Sequence, residues 1–454
     1  MAVANLHQHQ THHVVSVSSL MPAAVCSTPA QGSKSFSGLL EVTHKYGPCS
    51  PLKKRNAKIP TLRQILIDDQ TRVNSIHSKI SNKEPLVDSK VSLPAKSGDS
   101  IGTANFLVEI GVGTPKQNFA VIFDTGSELT WIQCQPCSGQ CYIQQDPYFN
   151  SSASSTYSNI PCVSNACSQL QSTGYAQPSC TTNCLYEVNY LDKSYSKGDF
   201  ATDTLTLSSS DVFPNFKFGC GQDNKGPFLL GSADGLLGLG RSQISMVSQT
   251  AQTYGKLFSY CLPPTTTSTG FLAFGKQAGS SSSTPFQYTP LLTNSNHPSF
   301  YFLTMTGISV NGQSLSIPES VFTTSGTIID SGTVITRLAA TAYSALKSAF
   351  RQAMSKYPTA PPPYSLFDTC YDLSGYNTVD LPTIVLHFGG GSELNVDQSG
   401  ILFGENSSLF CLAFAGNLDD TTVAILGNTQ QQTFEVVYDV AGGKLGFSAG
   451  ACGK

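Results

Sequence analysis

Short apolar runs that alternate with polar residues and end at turn residues fill most of the chain from Phe106 onward. The first run covers 106–110 and leads into a Gly- and Pro-containing turn at 111–115. Alternation at 186–190, a turn-like stretch at 191–194 and a returning run at 202–207 predict a hairpin. Asn311-Gly312 predicts a second hairpin turn. The pattern therefore predicts an all-β body.

Two segments have helical spacing instead. Apolar residues recur at loosely helical intervals between 61 and 80, behind Pro60 as a start signal. A second set, from Ala342 to Met354, has a 3.6-residue period, with Thr341 as the expected cap and prolines from Pro358 onward as the end. We therefore expect few helices.

Two stretches about two hundred residues apart carry the same pattern. Residues 121–129 read VIFDTGSEL and residues 327–335 read TIIDSGTVI. Each predicts a buried strand that ends in a tight loop holding one carboxylate, Asp124 or Asp330. One copy alone is as well explained by an ordinary turn with a capping Asp. Two copies favour a site that takes one carboxylate from each half of the chain.

Further apolar-apolar-Gly segments follow both motifs. Residues 234–240 read DGLLGLG and residues 424–427 read AILG. Both segments close their half, which indicates an internal duplication. We therefore divide the chain into a leader at 1–100, an N-terminal lobe at 101–270 and a C-terminal lobe at 271–454, with a polar, Cys-rich insert at 134–184.

Charge separates the leader from the body. Residues 1–100 hold 12 Lys or Arg and 6 Asp or Glu, whereas residues 101–454 hold 14 and 23. A basic leader on an acidic body suggests intramolecular pairing that acid would weaken, because carboxylates become neutral while Lys and Arg stay charged. The alternative is a merely solvated basic tail. Nucleic-acid binding by a body of net charge −9 is disfavoured.

The cysteines point to an oxidising compartment. Charged residues make up only 12% of the chain, and twelve of the 14 cysteines lie in the body. An even number of cysteines there favours six disulfides over a zinc site, since no His lies between Gln133 and Cys220. Asn150 and Asn406 begin glycosylation sequons. No signal peptide is evident, no run of 18 apolar residues could span a membrane, and neither a cofactor nor a metal is expected.

Histidine placement narrows the chemistry. Only His297 and His387 lie in the body, and neither falls in a nucleophile-base pattern. Two adjacent carboxylates remain, and they can share one proton and activate a water against a peptide carbonyl. Around them, Gly126 and Gly332 allow close backbone approach. Hydroxyls are available at Thr125 and Ser331 to lock the loops, and at Ser127 and Thr333 to hold the outer oxygens.

With these motifs the chain resembles a pepsin-family aspartic protease of the plant nepenthesin-like type, and is similar to the chloroplast-nucleoid DNA-binding protease subgroup. The resemblance covers roughly 100–454, and the leader stretch 44–51, HKYGPCSP, also resembles prosegments of that subgroup. It implies a bilobal fold with a central cleft. The catalytic pair would be Asp124 and Asp330.

The resemblance also implies a flap and a set of disulfides. Tyr190 matches the flap tyrosine and Trp131 its hydrogen-bond partner, although a strand aromatic and a core-filling residue are the plainer interpretations. Leu191 departs from the family, which usually has Gly there, and this leaves substrate range open. The implied disulfide pairs are 134–137, 141–220, 162–184, 167–180, 261–452 and 370–411.

The resulting expectation is a monomeric aspartic endopeptidase, made as a zymogen and acting on proteins or peptides at acid pH. It would be located in the secretory pathway, in the extracellular space or the vacuole, or alternatively in the chloroplast. A catalytically silent, xylanase-inhibitor-like binding protein on the same fold is the alternative. The intact pair of motifs favours the protease.

Overall fold

The computed structural model describes residues 12–20, 25–27, 37–54, 61–81, 106–177, 180–189, 194–225, 233–282, 284–404 and 408–451. The expectations for Tyr190, Leu191, Asn406 and Cys452, and for a processing region before the body, fall outside these residues. Statements below about absent features refer to the described ranges alone.

The chain is built mainly of strands. They are β1 (His12–Ser16), β2 (Leu39–His44), β3 (Phe106–Val112), β4 (Gln117–Asp124), β5 (Trp131–Gln135), β6 (Phe149–Asn150), β7 (Ser158–Asn159), β8 (Leu185–Asn189), β9 (Tyr195–Thr206), β10 (Val212–Lys225), β11 (Gly235–Gly238), β12 (Leu257–Cys261), β13 (Thr269–Phe274), β14 (Gln287–Pro290), β15 (Phe302–Leu303), β16 (Met305–Val310), β17 (Gln313–Ser314), β18 (Thr327–Ile329), β19 (Thr336–Leu338), β20 (Thr359–Ala360), β21 (Cys370–Asp372), β22 (Thr378–Pro382), β23 (Ile384–Phe388), β24 (Ser392–Asn395), β25 (Leu402–Gly404), β26 (Leu409–Leu412), β27 (Phe414–Gly416), β28 (Ala424–Leu426), β29 (Glu435–Asp439) and β30 (Lys444–Ser448).

The helices are fewer. They are α1 (Leu62–Ser81), α2 (Asn165–Ser172), α3 (Met246–Gln249), α4 (Ala251–Tyr254), α5 (Glu319–Thr323), α6 (Ala340–Ala353) and α7 (Asn428–Gln431), with short 3₁₀ turns between strands. No helix in the described ranges is both long and apolar enough to cross a membrane. The all-β expectation with few helices is confirmed.

One large sheet joins the two halves and includes a strand of the leader. It has 15 strands, and along its main path β2 lies between β13 and β3. Leu40 pairs with Leu272 of β13, and Thr43 pairs with Leu107 of β3. A second leader strand, β1, pairs with β22 in the C-terminal half. The leader is therefore part of the sheet framework.

The two Asp motifs lie in equivalent settings. β4 runs parallel to β11, with Asp124 opposite Gly238, and β18 runs parallel to β28, with Ile329 opposite Leu426. The two apolar-apolar-Gly segments are thus the strands that flank the motifs. The two motifs thus share one local strand arrangement, as the repeated pattern in the sequence predicted.

Most predicted local elements are present. β8 and β9 form the expected hairpin, although β9 begins at Tyr195, seven residues earlier than predicted. Asn311 and Gly312 have φ values of 51° and 74°, as a tight hairpin turn requires. The helix predicted between 61 and 80 is α1.

The expected cap of α6 is wrong. The helix begins at Ala340, so Thr341 lies inside its first turn. Thr341 instead bonds Asp420, whose carboxylate accepts from the Thr341 backbone N–H at 2.8 Å and from its hydroxyl at 2.6 Å. A remote carboxylate thus takes the role expected of a local cap, because an anion is favourable at a helix N-terminus.

Six disulfides have both cysteines in the described ranges, and several differ from the pairs implied by the resemblance. They are Cys26–Cys49, Cys134–Cys220, Cys137–Cys141, Cys162–Cys180, Cys167–Cys184 and Cys370–Cys411. Cys370–Cys411 is as implied, and the pairings of Cys134, Cys137, Cys141, Cys162, Cys167, Cys180, Cys184 and Cys220 are not.

Strand pairing explains one of these corrections. β5 runs parallel to β10 with Ile132 opposite Cys220, which brings Cys134 to 5.4 Å from Cys220 between Cα atoms. Cys137 and Cys141 then bridge the loop that follows. Cys261 is also disulfide-bonded; its expected partner, Cys452, lies outside the described residues.

Candidate active site

Asp124 and Asp330 come to the same place because each ends a buried strand. The Leu239 N–H donates to the Asp124 carbonyl at 2.9 Å, and the Asp330 N–H donates to the Leu426 carbonyl at 3.1 Å. Each Asp is therefore fixed to the neighbouring parallel strand of its own half. Both side chains are fully buried.

Thr125 and Ser331 tie the two loops together. The Thr125 N–H donates to Ser331 Oγ at 3.1 Å, and the Ser331 N–H donates to Thr125 Oγ1 at 2.9 Å. The two hydroxyl oxygens lie 3.3 Å apart. This reciprocal pair, anticipated from the residue types, holds the two halves in register at the carboxylates.

Hydroxyl and amide donors orient each carboxylate. Asp124 accepts from the Gly126 N–H at 3.0 Å and from the Ser127 hydroxyl. Asp330 accepts from the Thr333 hydroxyl at 2.5 Å. The structure thus places Thr125, Gly126, Ser127, Ser331 and Thr333 around the two acids.

The guanidinium of Arg72, on α1 of the leader, lies between the two carboxylates. It donates to Asp124 from Nη2 at 2.6 Å and from Nη1 at 3.2 Å. It donates to Asp330 from Nε at 2.8 Å and from Nη2 at 2.7 Å. All four carboxylate oxygens are therefore engaged by one side chain, which only a planar guanidinium can do.

The Arg72 contacts change the proton affinity of the site. Burial alone would raise the pKa of Asp330, but the charge and hydrogen bonds of Arg72, with the Thr333 and Gly332 bonds, hold it below its ordinary value. Burial likewise acts to lower the pKa of Arg72, and the two carboxylates raise it well above its usual range. Arg72 and Asp330 therefore each favour the charged form of the other.

Two glycines make room for the guanidinium. A Cβ on Gly332 would lie 2.3 Å from Arg72 Cζ, and a Cβ on Gly126 would lie 2.6 Å from both Arg72 Nη2 and Asp330 Oδ1. Any larger residue at either position would occupy the space between the carboxylates. The glycines of the two motifs therefore keep this space open, for the leader here.

A second ion pair lies one turn from Arg72 along α1. Asp69 accepts from the Val334 N–H at 2.6 Å, from the Ile335 N–H at 3.2 Å and from Arg337 Nη2 at 2.9 Å. Asp69 and Arg337 are both buried. Val334 follows the second Asp motif directly, so α1 covers that loop as well as the carboxylates.

Apolar side chains of α1 pack on either side of its charged contacts. Leu66 joins Val334 and Phe367 in one buried cluster, and Val73 and Ile76 join a second that contains Phe302 among others. The helix thus covers a continuous strip of the C-terminal half.

The remaining sequence candidates are less closely tied to the site. Trp131 is 1% exposed within a core cluster of the N-terminal half, and its Nε1 has no hydrogen-bond partner among the described residues. Its expected partner, Tyr190, lies outside those residues. Asn150 is partly exposed and accepts from the Ser152 hydroxyl at 2.7 Å. Within the described ranges, no group of three or more His, Cys, Asp or Glu is arranged to hold a metal ion.

Sequence reasoning missed Arg72, which lies between the two carboxylates, and the nearby ion pair of Asp69 and Arg337. A signal was present, because Asp69 and Arg72 interrupt the apolar stripe of Leu66, Val73 and Ile76. Charged residues on the buried face of a helix require partners. Those partners are distant in sequence and become evident only in the fold.

Two carboxylates, one from each half, are held by hydroxyl and amide donors where the halves meet, as the resemblance to pepsin-like aspartic proteases implied. Residues 106–276 match the family described as xylanase inhibitor N-terminal, and residues 300–449 match xylanase inhibitor C-terminal. The chain is 49% identical to an aspartyl protease family protein of Arabidopsis thaliana, over 97% of this chain and 93% of that one. It is 36% identical to aspartic proteinase nepenthesin-2 of Nepenthes gracilis, over 88% of each chain.

Solved structures agree on the fold. Basic 7S globulin from soybean superposes with a TM-score of 0.59 at 21% identity, covering 77% of this chain and 93% of the other. The chain belongs to the plant aspartyl protease family, and its nepenthesin-like resemblance is confirmed.

Proposed function

We propose that the chain is an aspartic endopeptidase made as an inactive zymogen, and that α1 of its own leader blocks the catalytic pair. The observation that carries this is the Arg72 guanidinium, which engages both Asp124 and Asp330. A group in that position excludes a substrate carbonyl and its attacking water. Arg72 is thus a leader cation that pairs with acids of the body, as the positive charge of the leader suggested.

The chemistry follows from two like acids sharing one site. Once Arg72 leaves, two adjacent carboxylates cannot both ionise easily, so they share a proton. The ionised acid accepts a proton from a water, while the protonated acid donates to the substrate carbonyl oxygen. The water oxygen bonds the carbonyl carbon in the same step, giving a tetrahedral diol. The C–N bond then breaks as the nitrogen takes the proton held by the first acid and the diol returns a proton to the second, so no covalent intermediate with the enzyme is formed. Ser127 and Thr333 keep the outer oxygens oriented.

The test uses the full chain. Incubation at neutral pH is expected to leave it intact and inactive, and incubation near pH 4 to release the leader and yield cleavage of an acid-denatured protein. Pepstatin should block this cleavage, and Asp124→Asn and Asp330→Asn should each abolish it. Sequencing the new N-terminus would place the processing point, expected between about 93 and 102. Inactivity after verified leader removal would refute the proposal.

A binding protein that inhibits xylanases is the second candidate, and the descriptions of the two matched family models favour it. Such a protein has no need of the complete donor set around Asp124 and Asp330. Titration of the processed chain against fungal xylanases tests it. Stoichiometric inhibition without proteolysis would reverse our ranking.

We further propose passage through the secretory pathway to the extracellular space or the vacuole. The disulfides support an oxidising compartment. A mass decrease after treatment with an N-glycosidase, lost in Asn150→Gln and Asn406→Gln, is the expected result. Import of the unglycosylated chain into isolated chloroplasts would favour the other location.

A further inference from the structure

Asp69 occupies a site that is built for a carboxylate. Three donors converge on it, namely the Val334 and Ile335 amides and the Arg337 guanidinium, at 2.6, 3.2 and 2.9 Å. Backbone N–H groups and guanidinium groups donate and cannot accept hydrogen bonds. A side-chain amide would turn its own NH₂ group toward some of these donors, whereas a carboxylate accepts from all of them.

The donors belong to the body, and the acceptor belongs to the leader. Arg337 lies on β19 in the five-stranded sheet and is fixed by a bond from Nη1 to the Ile335 carbonyl at 2.6 Å. Its other bonds, at Nη2, go to Asp69 and Gln70 of α1. Its Nε is buried without a partner in the described ranges. When the leader leaves, Arg337 loses Asp69, the anion that pairs with it among the described residues.

The site is close to the two carboxylates. Val334 lies four residues after Asp330, on the same loop. Asp69 and Arg72 lie three residues apart on α1, which separates them by about 4.5 Å along the helix axis. An extended peptide advances about 3.3 Å per residue. A side chain one or two residues from the bond under attack can therefore reach the Arg337 site.

We infer that Arg337 and the Val334 and Ile335 amides form a substrate subsite for an acidic side chain, which Asp69 fills until the leader is removed. This inference rests on the protease function proposed above and adds a substrate class to it, peptides with Asp or Glu one or two residues from the cleaved bond. Arg337 is then a specificity-determining residue that binds substrate and takes no part in the chemistry.

The plain alternative is that the ion pair serves only to dock α1. The two cases differ after the leader has gone. A docking device has no further role in the processed enzyme, whereas a subsite continues to select substrates. The decisive measurements therefore use processed enzyme obtained by acid activation of the full chain.

The test is a positional scan at about pH 5, where a substrate Asp is ionised because its ordinary pKa is near 3.9. Internally quenched peptides keep one cleavable pair and place Asp, Asn or Ala in turn at four positions on each side. We expect Asp to exceed Asn in kcat/KM by roughly tenfold or more at one position within two residues of the bond, since charged hydrogen bonds are the stronger ones. The effect should fall mainly on KM.

Variants locate the effect. Arg337→Gln should bring the Asp-to-Asn ratio close to one, and Arg337→Lys should restore part of it. Arg351→Gln, which removes an exposed Arg of α6, is the matched control and should keep the full ratio. Equal rates for Asp and Asn at every position in the unmodified enzyme, or an unchanged ratio in Arg337→Gln, would overturn the inference. If Arg337→Gln fails to fold, the unmodified ratio and Arg337→Lys still decide.

A failure of the proposed protease function can be distinguished from a failure of the subsite. Processed protein that cleaves neither the Ala peptides nor a denatured protein is no protease, and the site is then judged by binding alone. A fluorescent peptide of residues 61–81 should bind the processed protein roughly tenfold more tightly than its Asp69→Asn counterpart. Equal binding of the two peptides would refute the subsite even in that case.

Discussion

Arg72 donates two hydrogen bonds to the Asp330 carboxylate, from Nε at 2.8 Å and from Nη2 at 2.7 Å. Because Asp330 has a lowered pKa when α1 is docked, it stabilises the docked helix fully above its ordinary pKa near 3.8. That contribution is lost as the pH falls through the lowered value. Arg72 stays charged throughout, so acid leaves it without its partner.

We therefore expect acid to loosen α1. Short-pulse hydrogen exchange between pH 3 and 6 should find its amides protected at the upper end and progressively exposed toward the lower end.

Asp69 acts in the opposite sense, because burial raises its pKa against the charge and bonds of Arg337. Docked Asp69 takes up a proton as the pH falls, which favours docking in acid. In Asp330→Asn, where the opposing effect of Asp330 is gone, protection of the α1 amides should therefore vary little with pH or rise as the pH falls. Constant protection across this range in the natural chain would contradict acid release.

Replacing Arg72 should weaken the inhibition of the two carboxylates by α1 without changing any residue of the body. Arg72→Gln leaves two buried carboxylates without their cation, and removing one member of a buried pair costs about 3–5 kcal/mol. We expect activity at a higher pH and faster leader loss than in the natural chain. Arg72→Lys should be intermediate, because an ammonium cannot reach four oxygens at once.

Arg63→Gln is the control for the Arg72 variants. Arg63 is an exposed residue of the same helix, and its replacement should leave activation unchanged. The readout is the rate of appearance of the shortened chain at fixed pH. Equal rates for Arg72→Gln and Arg63→Gln would show that Arg72 does not hold the leader in place.

Gly332→Ala should displace α1 from the two carboxylates, because the added methyl group would overlap with the Arg72 side chain. The added Cβ would lie 2.3 Å from Arg72 Cζ, so the guanidinium would have to move away from the carboxylates. We expect reduced protection of α1 at neutral pH, together with lower activity after processing because the same space admits substrate. Gly375→Ala, which meets nothing within 4 Å, should change neither quantity.

The disulfide pattern can be read directly. Non-reducing proteolysis and mass spectrometry should recover peptides joined through Cys134–Cys220 and Cys137–Cys141. Peptides joined through Cys134–Cys137 would restore the pattern implied by the family resemblance. The leader should keep its own bond, Cys26–Cys49, and be released as one linked fragment.

Local chemistry made much of the fold predictable. The Asn311-Gly312 turn and α1 were evident because their signals lie within a few consecutive residues. The carboxylate pair was evident because duplication repeats it. Disulfide partners and the α6 cap were not, since Cys134 is 86 residues from Cys220 and Thr341 is 79 residues from Asp420. Spacing along a chain does not specify contacts of that kind.

The occupant of the cleft was hidden for the same reason. Arg72 is one of 12 basic residues in the leader, and 258 positions separate it from Asp330. The basic leader and the acidic body predict that the two parts of the chain attract each other. Only the packed helix identifies which cation meets which acid.

The leader strand β2 also bears on how the chain folds. It bonds β13 on one side and β3 on the other, so within the described residues these two strands, about 160 positions apart in the sequence, are joined through it. A chain synthesised without its leader would have to close that gap unaided, against the slow formation of long-range strand pairs. On the proposed route of activation, the leader would act as a template while the sheet forms, and the processed enzyme would no longer carry it.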